Sequence, residues 1–166
     1  LTVVFDTGSG ALMVKGQDCT LTGSSAGIRG ATGRCQGPSA GYNAAASSSH
    51  VPSFAPFYSG YGSGDAAGQS TYDAVTAGGF KAGHIWMSVA TREAARFSGF
   101  KMDGIFGLAQ QQIGDRIVDT FGSMCKHSPK MRCVFALFMT AKQNQPGSQL
   151  TIGGYDSTKV KKGSKW

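Results

Sequence analysis

The residues with the clearest chemical potential lie at the start of the chain, in Asp6-Thr7-Gly8-Ser9-Gly10. A carboxylate in a glycine-containing loop between two apolar runs can point out of a sheet instead of into it. Thr7 and Ser9 add hydroxyls that can hold the loop and the carboxylate in place. Gly8 permits close backbone approach and offers an N–H with no side chain in the way. Such a cradle suits a carboxylate that takes up and gives away protons. D-T-G alone is only three residues, and an Asp in an ordinary turn reads the same way. Other chemistries find less support. His50, His84 and His127 are scattered, without metal-ligand spacing. No Ser or Cys sits in a recognisable nucleophile elbow. Gly62-x-Gly64-x-x-Ala67 superficially fits a dinucleotide fingerprint, but no helical pattern follows it. No metal and no cofactor is expected.

The elements that must position Asp6 are short. Leu1–Phe5 is rich in β-branched residues and reads as a strand, and Ala11–Val14 as a second. Gln17–Ser49 reads as a long loop, dense in Gly, Ser, Thr and Ala. Phe54–Tyr61 and Gln69–Ala77 flank the turn Gly62-Ser63-Gly64-Asp65, the pattern of a hairpin. Phe80–Val89, Val134–Thr140 and Gln149–Ile152 are further strands, and Gly153-Gly154 is a turn. Ile117, Val118, Phe121 and Met124 share one face at helical spacing, which predicts a helix over Asp115–Lys126 with Asp115 near its cap.

Composition agrees with an all-β chain carrying one or two short helices. Of 166 residues 25 are Gly and only 15% are charged, which suits many short strands joined by tight turns. The apolar runs are too short to span a bilayer. The net charge of +7 includes the run Lys159, Lys161, Lys162 and Lys165. Without aromatic interleaving or a recognition helix that run reads as a solvated segment, not a nucleic-acid site. No signal peptide is visible, and Val3–Phe5 already reads as strand interior, so the sequence reads as a processed or partial segment.

Four cysteines form two local couples, Cys19 with Cys35 and Cys125 with Cys133. An even count without C-x-x-C favours two disulfides over zinc or four buried thiols, and with them an oxidising compartment. The first couple would tie down the long loop.

Several segments, in order, resemble the pepsin-like aspartic proteases. Val3-Val4-Phe5-Asp6-Thr7-Gly8-Ser9 resembles the first active-site strand and loop. Tyr61-Gly62-Ser63-Gly64 resembles the tip of the substrate-covering flap, and Tyr72-Asp73-Ala74-Val75 with Gly78-Gly79 the strand after it. Asp103-Gly104-Ile105-Phe106-Gly107-Leu108-Ala109 is similar to the D-G-I-L-G-L-A segment beneath the catalytic loop. Val134–Thr140 and Leu150–Asp156 resemble the closing strands of the N-terminal lobe, and Trp166 the Trp before the interlobe strand. The resemblance covers nearly all of residues 1–166, as a single lobe without the family's first hairpin or its C-terminal lobe.

The resemblance implies a fold, an activity and roles. Asp6 would be one of two catalytic aspartates that activate water for peptide-bond hydrolysis. Thr7 would bond across to the second lobe, Ser9 would orient Asp6, and Gly8 would complete the loop. Tyr61, Gly62, Ser63 and Gly64 would close over an extended peptide. The second aspartate has no candidate here: Asp65, Asp73, Asp115, Asp119 and Asp156 lack a D-T-G or D-S-G context, and Asp103 falls on a structural position. A C-terminal lobe, as a second chain or another polypeptide, would have to supply it. The alternative is an inactive lobe kept as a scaffold subunit. One departure stands out: the Trp whose ring nitrogen bonds the flap tyrosine is Met13 here, which cannot donate. The resemblance also implies a secreted, vacuolar, lysosomal or other secretory-pathway location.

Overall fold

The computed structural model describes residues 1–23, 33–62, 64–109, 119–141 and 145–163. It is mainly β. Strands β1 (Val3–Asp6), β2 (Leu12–Thr22), β3 (Val51–Tyr61), β4 (Gly64–Ala77), β5 (Phe80–Ala94) and β6 (Gly104–Gly107) form one mixed sheet, in the order β1-β6-β2-β5-β4-β3. β7 (Phe135–Phe138) and β8 (Gln149–Ile152) make a separate antiparallel pair, and α1 (Thr120–His127) packs on β5. The expected β class stands.

The order of the first three neighbours sets up the site. β6 lies between β1 and β2, parallel to β1 (Phe5 opposite Phe106) and antiparallel to β2 (Leu12 opposite Phe106). The chain therefore leaves β1, passes over the end of β6 and returns as β2. The pass-over is the Thr7–Ala11 loop. All four residues of β6 are buried, as befits a strand covered on both sides.

Two clusters hold the sheet. Leu12, Val14, Ile85, Met87, Phe106 and Leu108 pack with Phe121 and Met124 of α1 on one face. Met13, Cys19, Ala66, Ala90, Ala94, Phe97 and Ile105 pack on the other. Leu12 and Val14 go one way and Met13 the other, the alternation of a strand buried on both faces.

Boundaries differ from the sequence reading in instructive ways. Gln17–Thr22 continue β2 instead of opening a loop, because a register shift after Lys15 lets Thr20, Leu21 and Thr22 pair with Arg92, Glu93 and Ala94. Their polar side chains hide the strand. β4 begins at Gly64, not Gln69, so the hairpin turn is tighter than expected. The helix begins at Thr120, where Asp119 caps it by accepting the Gly122 N–H at 2.6 Å. Asp115, Ile117 and Val118 lie outside the described residues, as do Ser63, Lys165 and Trp166. Phe121, Met124 and Lys126 take the places the helical pattern gave them. Both disulfides form, Cys19–Cys35 and Cys125–Cys133, each with Cα atoms 5.3 Å apart.

Candidate active site

Asp6 ends β1 at the point where the chain lifts over β6. Its carboxylate accepts the Gly8 N–H at 2.9 Å and the Ser9 hydroxyl at 2.6 Å. The acid thus folds back onto its own loop, held by two donors. A Cβ on Gly8 would come within 3.2 Å of Asp6 Oδ1, so the bare residue keeps the approach open. Thr7 is exposed at the crest.

The loop is stitched to its surroundings through the backbone. Leu108 N donates to Asp6 O at 2.8 Å, Ala109 N to Ser9 O at 2.9 Å, and Gly107 N to Ala11 O at 3.0 Å. From the helix, Thr120 N donates to Gly10 O at 2.9 Å, and the Leu12 N–H donates to Thr120 Oγ1 at 2.7 Å. Thr120 is fully buried. Sequence reasoning missed its role; the clue was an Asp-Thr pair just ahead of the apolar face. Gly107 must also be small. A Cβ there would collide with the backbone of Ser9, Gly10 and Ala11. Gly107→Ala is expected to cost about 1–3 kcal/mol through forced shifts. Gly62→Ala, where a Cβ meets nothing within 4 Å, should stay within about 0.5 kcal/mol. Urea midpoints of the two variants check the contrast.

Asp103 lies below the loop and does not join Asp6. It is fully buried and pairs with Lys15 at 3.3 Å. It also accepts the Thr2 N–H at 2.7 Å and the Ser39 N–H at 3.0 Å. Burial works to raise its pKa, but these donors outweigh it and hold the carboxyl below the ordinary 3.8. The expectation of a structural role fits this setting. Three more carboxylates are occupied: Asp73 accepts from Tyr42 and Ser49, Asp119 caps α1, and Asp156 caps the turn Ser157–Lys159.

Glu93 is different. It is buried beside the Cys19–Cys35 bridge, its carboxylate oxygen and the two sulfurs lying within 4.8 Å of one another. The disulfide takes the thiolates that a metal would need. Burial pushes Glu93 up from the ordinary 4.5, with Lys15 working the other way. A raised folded pKa means that stability from the neutral acid is full below the unfolded value and is lost as pH rises through the folded one. Asp103 has the opposite sign: its contribution is present above its unfolded value and is lost as pH falls. Stability should therefore be greatest in a mildly acidic band. Glu93→Gln should flatten the alkaline side and leave the acid side unchanged in thermal melts taken across pH 3 to 8.

The hairpin β3–β4 brings Tyr61 near enough to both Asp6 and Glu93 to feel their charges. Tyr61 is half-buried at its tip, opposite Gly64, and Gly62 is exposed between them. Gly64 has φ +148°, and a Cβ there would lie 2.6 Å from the Ala94 Cβ, so only glycine fits. The face of the hairpin packs on the second cluster, which includes Met13. The structure thus brings Asp6, Gly8 and Ser9 together in one hydrogen-bonded loop and puts Tyr61, Gly62 and Gly64 at one hairpin tip.

Similarity to known proteins agrees with the geometry. The family model described as eukaryotic aspartyl protease matches residues 1–166. Cathepsin D of Dictyostelium discoideum is 31% identical over 159 residues, covering 95% of this chain and 39% of the relative. Cathepsin D of Homo sapiens is 30% identical over 177 residues, covering 98% and 40%. Rhizopuspepsin-3 of Rhizopus niveus is 31% identical over 160 residues, covering 95% and 38%. The chain spans about two-fifths of the length of these relatives. An ordered run of motifs, a strand-crossing acidic loop and an end-to-end family match converge: the chain belongs to the eukaryotic aspartyl protease family.

Proposed function

We propose that this chain is the N-terminal lobe of an aspartic endopeptidase and that Asp6 is one of its two catalytic carboxylates. The observation that carries the reading is the Asp6 carboxylate itself, fixed by Gly8 and Ser9 at the crest of a rigid loop. Paired carboxylates of this kind, of which aspartic proteases are themselves the standard instance, share one proton. Two like charges about 3 Å apart cannot both ionise easily. One acts as base on a water while the other donates to the scissile carbonyl.

The partner carboxylate comes from a C-terminal lobe, in the same polypeptide or as a second chain. β1 is an end strand of the sheet, with Leu1, Val4 and Phe5 at 62%, 49% and 38% exposure. Open edges and exposed apolar side chains are what a docking lobe covers. Thr7, exposed beside Asp6, bonds across the junction in this reading. Substrate is an extended peptide under the Tyr61–Gly64 hairpin, and no cofactor is needed. Two disulfides support passage through an oxidising compartment, and so a secreted, vacuolar, lysosomal or other lumenal site. Among the described residues no helix is long and apolar enough to cross a membrane.

The test is peptide hydrolysis by the full-length protein and by its Asp6→Asn variant. Loss of turnover with the fold intact supports the reading. Equal turnover in both removes Asp6 from the chemistry. A wild-type protein that binds peptides but never cleaves them favours a scaffold lobe.

A further inference from the structure

Tyr61 packs against the cluster that holds Met13, where the family resemblance would put a flap-bonding Trp and where Met13 has no N–H to give. Tyr61 nevertheless has a seat. Its ring meets Phe97 nearly edge-on, with centroids 5.9 Å apart and planes at 76°. Phe97 is 3% exposed and is backed by Phe100 at 6.2 Å. It rides on the 3₁₀ turn Ala95–Gly99 that follows β5. Gly64, paired with Tyr61 across the hairpin tip, leans on the same support. A Cβ on Gly64 would fall 3.8 Å from the Phe97 ring as well as against Ala94. Burial also holds the Tyr61 hydroxyl neutral to higher pH than an ordinary tyrosine, which agrees with a ring settled in a site.

We propose that Phe97 is a positioning residue for the flap, seating Tyr61 by an aromatic contact that does the work of the hydrogen bond Met13 cannot make. The proposal rests on reading the hairpin tip as a substrate-covering flap. Its kinetic consequence is specific. An edge-to-face pair shifts an equilibrium by about two- to tenfold. Losing it lowers the fraction of molecules whose flap is seated, and substrate binding must first restore that fraction. Apparent affinity therefore falls, while turnover of the closed complex holds. A residue that only shaped the catalytic loop would lower kcat instead.

The experiment uses the full-length protein labelled with 3-fluorotyrosine. Of its ¹⁹F lines, the one from Tyr61 is assigned by its loss in Tyr61→Phe. In Phe97→Leu the Tyr61 line should move toward the position of free fluorotyrosine and broaden more with a soluble paramagnetic agent, while the lines of Tyr42, Tyr58, Tyr72 and Tyr155 stay. Phe97→Tyr, which keeps a ring and adds one fluorotyrosine line of its own, should leave the Tyr61 line in place. With a quenched fluorescent peptide library, KM should rise about three- to tenfold in Phe97→Leu with kcat within about twofold. A Tyr61 line unmoved by Phe97→Leu overturns the proposal, as does a fall in kcat at fixed KM. Should Phe97→Leu not fold, Phe97→Met, which also removes the ring, decides by the same criteria: a displaced Tyr61 line supports the seat and an unmoved one refutes it. If the wild-type protein cleaves nothing, the protease reading fails, while the ¹⁹F arm still decides the role of Phe97.

Discussion

Asp6→Asn should remove peptide hydrolysis from the full-length protein while leaving its stability nearly unchanged. The two halves of that expectation have separate causes. Asn keeps a carbonyl oxygen that can accept the Gly8 N–H, and its amide can turn to the Ser9 oxygen, so both local hydrogen bonds have substitutes. The site is only half-buried, so exchanging the head group should cost about 1 kcal/mol or less. The chemistry has no substitute. An amide neither takes a proton from water nor passes one to the carbonyl at working pH, and general acid–base help contributes about 10²–10⁴-fold. Turnover should fall by at least that factor, measured by initial rates on a quenched peptide, with urea unfolding confirming the fold.

The largest stability effect should come from Asp103. Its carboxylate joins three segments: the start of β1 at Thr2, the disulfide-tied loop at Ser39, and β2 at Lys15. Asp103→Ala would strand the Lys15 ammonium, whose side chain is 3% exposed, in a dry site, and would orphan two N–H groups. Breaking one side of a buried pair costs about 3–5 kcal/mol. Against a total stability of about 5–15 kcal/mol, that is enough to leave the lobe marginal. Replacing both charges, as Lys15→Met with Asp103→Asn, should recover most of the loss, because the uncompensated charge is the main penalty. A double-mutant cycle from urea denaturation reads the coupling. Simple additivity of the two single changes would show that the pair does not act as a unit.

Much of this fold was legible because its signals are local. A polar D-T-G-S break between apolar runs marks a loop at a strand end, and Tyr-Gly-Ser-Gly between alternating runs marks a hairpin. The paired cysteines marked the two bridges. What stayed hidden depends on partners distant in sequence. β2 runs on through Gln17–Thr22 because β5 offers it hydrogen bonds, although its side chains look like loop residues. Lys15 looks like a surface lysine until Asp103, 88 positions away, is folded beneath it. Thr120 looks like a helix residue of no special kind until the Leu12 N–H reaches it. Phe97 carries no motif, and its meaning comes only from the ring of Tyr61 above it. The carboxylate cradle was thus readable from short-range chemistry, whereas its foundations were not.

On the proposed function, residues 1–166 hold one half of a catalytic pair. The most direct measurement is peptide hydrolysis at acidic pH by residues 1–166 alone, side by side with the full-length protein at equal molar concentration. No turnover above background is expected from the isolated chain, and the full-length protein should show turnover that Asp6→Asn abolishes. Hydrolysis by a 17.2 kDa monomer of the chain alone, unaided by any second carboxylate loop, would contradict that expectation.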